Sequence, residues 1–279
     1  MTTFNKLSYE LTDKEFKLFQ EIIYRQTGIH MSEKKRNLIV ARLSKRLRAL
    51  NLNNFSEYYQ YLSDENSSDE IINLINRVTT NKTDFFREIH HFEFLLQDVL
   101  PAIIKEGNST RERRLRIWSA GCSTGEEPYS LAMTVSEAFK GERGWDIKIL
   151  ATDLDTEVLM KAMTGIYSSQ VITPVPINYI SKYLERTANG YEVTRAIKSM
   201  VSFRKLNLMD QAFPMKKTFD IIFCRNVMIY FDDETKASLV RKFHHHLKDN
   251  GFMFIGHSES LMYMKDLFRF LKHTVYQKV

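Results

Sequence analysis

The chain has 279 residues, 43% of them hydrophobic and 27% charged, which suits a soluble globular protein of one large or two ordinary domains with a substantial core. No apolar run reaches the roughly 20 residues of a membrane span, and the polar start MTTFNKLSYE lacks a signal peptide's apolar stretch; membrane insertion is excluded and a cytoplasmic location expected. The net charge of +6 favours acidic partners, and the two cysteines, Cys122 and Cys224, offer no zinc pattern and read as reduced packing residues.

Thr12 and Glu15 make a capping box for a first helix, with Leu11 placed to staple onto Phe16. Phe16, Phe19 and Ile23 line its buried face until Gly28 ends it. Ser32 is expected to cap a second helix running to about Leu50, with Leu38, Leu43, Leu47 and Leu50 as its core stripe. Its other surface is strongly basic: Lys34, Lys35, Arg36, Arg42, Lys45, Arg46 and Arg48, with only Glu33 beside them. A short third helix carries Phe55, Tyr58, Tyr59 and Leu62, and a fourth starts near Ser67 with Ile71, Leu74, Ile75 and Val78 inside. Residues 1–78 therefore read as an all-helical domain.

A linker follows over residues 79–92, TTNKTDFFREIHHF, with a polar cluster of Asn81, Thr83 and Arg87 and apolar anchors Phe85 and Phe86. Read alone, it is more simply a capped helix start with Arg87 on the surface. A helix from about His91 to Lys105 leads to RLRIW, an alternating strand, and then to the small-residue turn SAGCSTGEEPYS before helical spacing from Pro128 to Ala138. Gly121 and Gly125 permit close approach to a ligand at a helix start with unpaired N–H groups. The turn has no phosphate-loop lysine, and Glu126 and Glu127 stand where a phosphate needs positive charge. Acids there suit a cation or sugar hydroxyls, both of which S-adenosylmethionine carries. The next strand, DIKILATD, ends in Asp153, placed to accept both ribose hydroxyls, with Asp155 a near alternative.

After a short helix ended by Gly165, Pro174 and Pro176 interrupt the alternation of strand and helix. YEVTRAI and MVSFRKL are expected to form two antiparallel strands around a turn at Lys198, within an inserted β-subdomain spanning about residues 168–206. LNLMD leads to TFDIIFCRN, a buried strand ending at Asn226, then a helix from about Asp233 to Leu247, the strand GFMFIGHS and a closing hairpin. His244 to His246 are consecutive and splay around a helix, so no metal site is expected.

TTNKTDFFRE, SAGCSTGEEPYS, ATDLDTEVL, LNLMD, FCRNVMIYF and GHSES occur in this order in the chemotaxis receptor methyltransferases, the CheR family, and the chain resembles that family from about Leu11 to its C-terminus. The resemblance implies an α/β class I (Rossmann-like) methyltransferase domain over residues 93–279, an N-terminal helical domain and an inserted antiparallel β-subdomain. It implies methyl transfer from S-adenosylmethionine, with S-adenosyl-L-homocysteine as product, to glutamates on the cytoplasmic helices of chemoreceptors. It assigns Asn81, Thr83 and Arg87 to the cofactor's methionine part, Glu127 beside it, Asp153 to the ribose, Asn207 and Leu208 to the adenine, and Asn226 and Val227 to the pocket. Tyr230 resembles the tyrosine near the transferable methyl, although core packing beside Phe231 is the alternative.

A glutamate, with an ordinary pKa of about 4.3, is ionised at neutral pH and needs no general base, which agrees with a motif set of polar groups that bind and orient. Arg87 has two candidate jobs, holding the cofactor's carboxylate or positioning the attacking one. The basic helix, through Arg42, Lys45, Arg46 and Arg48, fits an acidic receptor helix. A nucleic-acid methyltransferase and a non-catalytic cofactor sensor are the competing readings; the first lacks an NPPY-like or catalytic-cysteine signature, and the intact motif set argues against the second. The expected partner is a chemoreceptor, with no nucleic acid, and the chain is expected to be a monomer. LERTANGYEVTRAIK has only Gly190 and is short for a loop that docks on a receptor tail, so activity independent of such a tether is expected.

Overall fold

The computed structural model describes residues 9–64 and 67–279; the polar start up to Ser8 lies outside the described residues. The chain divides into two units: the helical one takes the chain up to Thr80 together with Tyr230–Asp232, and the second takes Asn81–Ile229 and Asp233–Val279. No helix among the described residues is long and apolar enough to cross a membrane.

The helical unit packs α1 (Asp13–Thr27), α2 (Arg36–Ala49), α3 (Phe55–Ser63) and α4 (Ser68–Val78) around Phe16, Phe19, Ile39, Leu43, Leu47, Phe55 and Tyr58, all essentially without exposure. Both halves of the Thr12–Glu15 capping box form, and Gly28 closes α1 in the left-handed region at φ 69°. The start of α2 differs from expectation. Ser32 makes no side-chain cap; a 3-10 turn, Glu33–Lys35, leads into the helix instead. Leu38 is 37% exposed, and Ile39 takes its place in the core. Leu38 and Leu43 are five positions apart, about 140° around a helix, whereas Ile39, Leu43 and Leu47 recur every fourth residue.

The basic surface of α2 is not one solvated face. Arg42 Nη1 donates to the carbonyls of Val78 at 2.9 Å and Thr79 at 2.7 Å, satisfying the C-terminus of α4. Arg46 Nε donates to Glu70 Oε1 at 2.7 Å and its Nη2 to Oε2, while the buried Tyr58 hydroxyl donates to the same carboxylate at 2.8 Å. Arg42 and Arg46 do share a side of the helix, but it is the side facing α4. Arg36 pairs with Asp13 and Glu33. Lys34, in the turn before α2, and Lys45 and Arg48 in the helix remain exposed.

The second unit is a seven-stranded sheet in the order β6-β2-β1-β7-β8-β10-β9. Its strands are β1 (Arg114–Ala120), β2 (Asp146–Asp153), β6 (Val201–Lys205), β7 (Phe219–Cys224), β8 (Leu247–Ile255), β9 (Phe268–Lys272) and β10 (Val275–Lys278). The first five pair in parallel, and β10 pairs antiparallel with β8 and β9 as a closing hairpin. Strand order reverses between β1 and β7, the switch point at which open α/β sheets bind ligands beyond their carboxyl ends. Its helices are α5 (Ile89–Phe94), which widens through a π turn into α6 (Leu100–Thr110), then α7 (Glu126–Ala138), α8 (Thr156–Thr164), α9 (Ile177–Tyr183), α10 (Arg195–Met200) and α11 (Asp233–His246).

A separate antiparallel sheet, β3-β5-β4, is the inserted element, built from β3 (Ile166–Tyr167), β4 (Leu184–Thr187) and β5 (Gly190–Val193). The hairpin expected around Lys198 does not form. Lys198 lies in α10, and Val201–Lys205 is β6, paired in parallel with β2 in the main sheet. Alternation alone does not distinguish a hairpin arm from the edge strand of a parallel sheet. The real hairpin turns at Ala188 and Asn189, and Gly190 is required there: at φ 131° a Cβ would lie 2.4 Å from the Tyr167 carbonyl oxygen.

Replacing Arg46 with Met should destabilise the chain by about 2 to 3 kcal/mol, because Glu70 is left buried with two hydrogen bonds fewer and no cation. Denaturant melts of Arg46→Met and Lys45→Met check this; the exposed Lys45 should cost less than about 0.5 kcal/mol.

Candidate active site

The carboxyl ends of β1, β2, β6 and β7 gather the expected residues of the second unit. After β1 the chain turns at Gly121 (φ 82°), and the N–H groups of Gly121 and Cys122 both donate to the Thr152 carbonyl, at 2.8 and 2.9 Å. A Cβ on Gly121 would lie 2.4 Å from Val227 Cγ2, so glycine is what lets the β1 turn and the loop after β7 come together. Gly125 (φ 97°) starts α7, where a Cβ would sit 2.8 Å from the Tyr167 hydroxyl. Thr124 donates to Glu126 at 2.6 Å, and burial pushes that carboxyl above its usual range. Both cysteines are buried and free.

The three neighbouring acids separate by their hydrogen bonds. Asp155 is fully buried as the N-cap of α8: Oδ1 accepts from the N–H of Glu157 at 2.9 Å and of Val158 at 3.2 Å, and Oδ2 accepts from the Asn81 amide at 2.7 Å. Glu127 accepts from Ser119 Oγ at 2.7 Å and from Arg225 Nε at 2.8 Å. Asp153, half-buried, takes one backbone N–H on each oxygen, Asp155 at 3.0 Å and Ser123 at 2.8 Å. Each of its oxygens keeps an acceptor position. Burial pushes the carboxyl up to about 6, against the pull of the N–H groups of Asp155, Ser123 and Leu154.

Arg225, directly after β7, was not singled out from the sequence, yet it fastens the site together. Buried between the rings of Phe92 and Phe223, it donates through Nε to Glu127 and through Nη1 to the Arg87 carbonyl at 2.6 Å, and Nη1 lies 3.0 Å from His91 Nδ1. His91 Nε2 contacts the His273 carbonyl, an acceptor, so Nε2 carries the proton and Nδ1 accepts from Arg225. Burial, with the guanidinium beside it, pulls His91 down to about 3 and keeps it neutral. The segment before α5 is thereby pinned to the sheet end, and Asn81 is pinned through Asp155 and through its carbonyl, which accepts from Ser123 Oγ at 2.9 Å. Glu88, His90 and His91 lie at a spacing a metal could use, but both His91 nitrogens are engaged and the Arg225 guanidinium is 3.7 Å from Glu88, which repels a second cation.

Glu259, in the GHSES stretch, was likewise missed. Its buried carboxylate accepts the N–H groups of Gly256 at 2.6 Å, Asn226 at 3.0 Å and Ile229 at 3.2 Å, which fixes the loop holding Asn226 (φ 59°) and Val227. Asn207 follows β6 and accepts the Met209 N–H at 3.0 Å; the Leu208 carbonyl accepts Lys242 Nζ at 2.6 Å. Thr83 is half-buried in the pinned segment, and Arg87 spends one N–H on the Lys82 carbonyl at 3.0 Å. Tyr230 belongs to the helical unit, as do the α2 cations. There its carbonyl accepts the His30 N–H at 2.9 Å, and Lys35 Nζ lies 4.7 Å from its ring centroid.

The neutral His91 gives a signed pH dependence. Its folded pKa is depressed, so its contribution to stability is present above the ordinary histidine value of about 6.5 and is lost as pH falls toward 3. Between pH 7.5 and 5 the stability difference between wild type and His91→Asn should shrink by about 2 kcal/mol. Urea melts at the two pH values measure it, and a constant difference would show a charged His91.

Residues 14–79 match the family model described as the CheR methyltransferase all-alpha domain, and residues 81–277 match the CheR methyltransferase SAM binding domain. A chemotaxis protein methyltransferase of Borreliella burgdorferi is 42% identical over 274 residues, covering 98% of this chain and 96% of the relative. That of Escherichia coli is 38% identical over 271 residues, covering 95% and 91%. Among solved structures, the glycopeptide N-methyltransferase MtfA complexed with S-adenosylmethionine aligns over 55% of this chain and 53% of its own at 13% identity and a TM-score of 0.30, too loose a likeness to carry weight. With both family domains matched in order and relatives aligned over nearly their full length, the chain belongs to the CheR methyltransferase family and uses S-adenosylmethionine as its cofactor.

Proposed function

We propose that this enzyme transfers the methyl group of S-adenosylmethionine to glutamate side chains of chemoreceptors in the cytoplasm, forming methyl esters. The observation that carries the reading is how the ionisable groups at the sheet end are used. Glu127, Asp155, His91 and Arg225 are committed to one another or to backbone, while Asp153 and Arg87 keep open positions. His91, held between Arg225 and the His273 carbonyl, is not available as a base, and the groups named here bind and orient, which suits a nucleophile that arrives already ionised.

The bound cofactor supplies an electrophilic methyl on a sulfonium. Asp153, with one free acceptor position on each oxygen, takes the two ribose hydroxyls; Asn81, Thr83 and Glu127 surround the methionine part, Asn207 and Leu208 the adenine, and Asn226 with Val227 the pocket wall. Arg87 holds a carboxylate, and Tyr230 orients the methyl group. Catalysis then comes from alignment and exclusion of water. Receptor affinity draws on the exposed Lys45 and Arg48. Arg42 and Arg46 add to the positive field of α2, but their head groups are held by α4.

Receptor incubated with labelled cofactor should acquire label that mild alkali releases as methanol; alkali-stable label would indicate nitrogen or base methylation. RNA and DNA should acquire none, and a receptor lacking its C-terminal tail should be labelled at nearly the same rate, in keeping with the short turn between β4 and β5. Because protonation removes an acceptor from Asp153, cofactor affinity measured by calorimetry should fall as pH drops through about 6. Asp153→Ala should weaken binding by about 1.5 to 3 kcal/mol and abolish that pH dependence.

The paired reversal Lys45→Glu and Arg48→Glu should raise the receptor KM at low salt and leave cofactor affinity alone, with the difference narrowing as salt rises. An unchanged KM would make α2 an ordinary solvated surface.

A further inference from the structure

His257, just beyond β8, is the outer half of a carboxylate–imidazole pair that the assignments above leave unused. Its Nδ1 lies 2.8 Å from Glu88 Oε1; the His257 side chain is 67% exposed and that of Glu88 only 9%. Hydrogen bonding to His257 and the nearby Arg225 hold the Glu88 carboxyl below its usual range, so it is ionised and only accepts. Nδ1 therefore carries the proton shared with Glu88. Nε2 makes no hydrogen bond to another described residue.

Glu88 is a rigid base for this ring. Its backbone sits in the left-handed region at φ 57°, the Asn226 amide donates to the same Oε1 at 3.4 Å, and Arg225 Nη1 is 3.7 Å from Oε2, a buried oxygen that accepts no hydrogen bond. An imidazole in fixed orientation is thus presented to solvent next to Asn226, at the carboxyl ends of β7 and β8. A carboxylate on one nitrogen that orients the ring and leaves the other for a ligand is a recurrent functional arrangement.

We propose that His257 binds the carboxylate of the methyl acceptor and so helps select an acidic side chain as substrate. The inference rests on the acceptor being a glutamate. On that reading two carboxylates must be held near this sheet end, one on the amino-acid part of the cofactor and one on the acceptor. Of the two arginines described at this sheet end, Arg225 is buried and spent on Glu127, the Arg87 carbonyl and His91, which leaves Arg87 for one anion. With Nδ1–H held by the Glu88 carboxylate, the ring receives a second carboxylate as the imidazolium, taking a proton from solvent on Nε2, and Nε2–H supplies the second donor. Its pairing with a buried anion keeps the ring from turning away before the acceptor arrives.

Because the ring is exposed, His257→Ala should fold normally, as a thermal melt and circular dichroism can verify. The receptor KM should rise about tenfold, as for loss of a hydrogen bond to a charged group, with a smaller change in kcat and an unaltered calorimetric Kd for S-adenosylmethionine. His257→Arg, which restores a donor, should recover part of the KM. A receptor KM equal to wild type in His257→Ala overturns the proposal, and so does weakened cofactor binding with the receptor KM unchanged, which would put the ring in the cofactor pocket. These outcomes presuppose that the wild type forms an alkali-labile receptor ester. If it forms none, the glutamate reading fails and this one with it; if it does and His257→Ala behaves as wild type, only the role of His257 fails.

Discussion

The contact between Arg225 and Glu127 is the constraint on which the site depends. Glu127 belongs to the first turn of α7 and Arg225 to the exit of β7, so the pair joins the two strands on either side of the sheet's switch point. A buried pair of this kind adds little net stability over apolar packing, since desolvating both charges offsets their attraction. What it does supply is geometry. The guanidinium has further donors at fixed angles, and one of them takes the Arg87 carbonyl, setting where that segment begins its climb into α5. His91 extends the fastening to the turn between β9 and β10.

Asp153 illustrates the opposite use of burial. The backbone N–H groups around it do not compensate for the water it has lost, which is why its proton is held more tightly than an exposed aspartate's. A ligand that brings two hydroxyls relieves that deficit. The group is therefore a poor structural element and, on the proposed reading, a binding one, whereas Asp155, two residues on, is engaged by Asn81 and the start of α8 and serves structure.

What could be read from the sequence was mostly what is local. The Thr12–Glu15 capping box, the glycine turn after β1 and the acid at the tip of β2 each depend on residues a few positions apart, so their spacing carries the information. Arg225 and Glu259 were not legible in the same way: Glu127 is 98 positions from Arg225, and Asn226 is 33 from Glu259. A charged residue immediately after the wholly apolar IIFC was the available sign, since burial next to such a strand demands a partner. The basic helix misled for a related reason. Charge and periodicity were visible, but not that Glu70 and the carbonyls at the C-terminal end of α4 face Arg46 and Arg42. Around Lys198, two alternating segments satisfied the pattern of a hairpin, and the parallel neighbour that claims β6 lies some fifty residues earlier in the chain.

The Glu259 carboxylate gives the loop after β7 a property usually confined to helices and sheets. Irregular connections at binding sites commonly lose conformational freedom when a ligand arrives, and that loss is subtracted from affinity. Here three backbone N–H groups from two separate loops already converge on one buried side chain. Asn226 and Val227 are thus set by contacts within the chain, and on the proposed reading, in which they line the cofactor pocket, nearly all of the free energy of their contacts remains available for recognition.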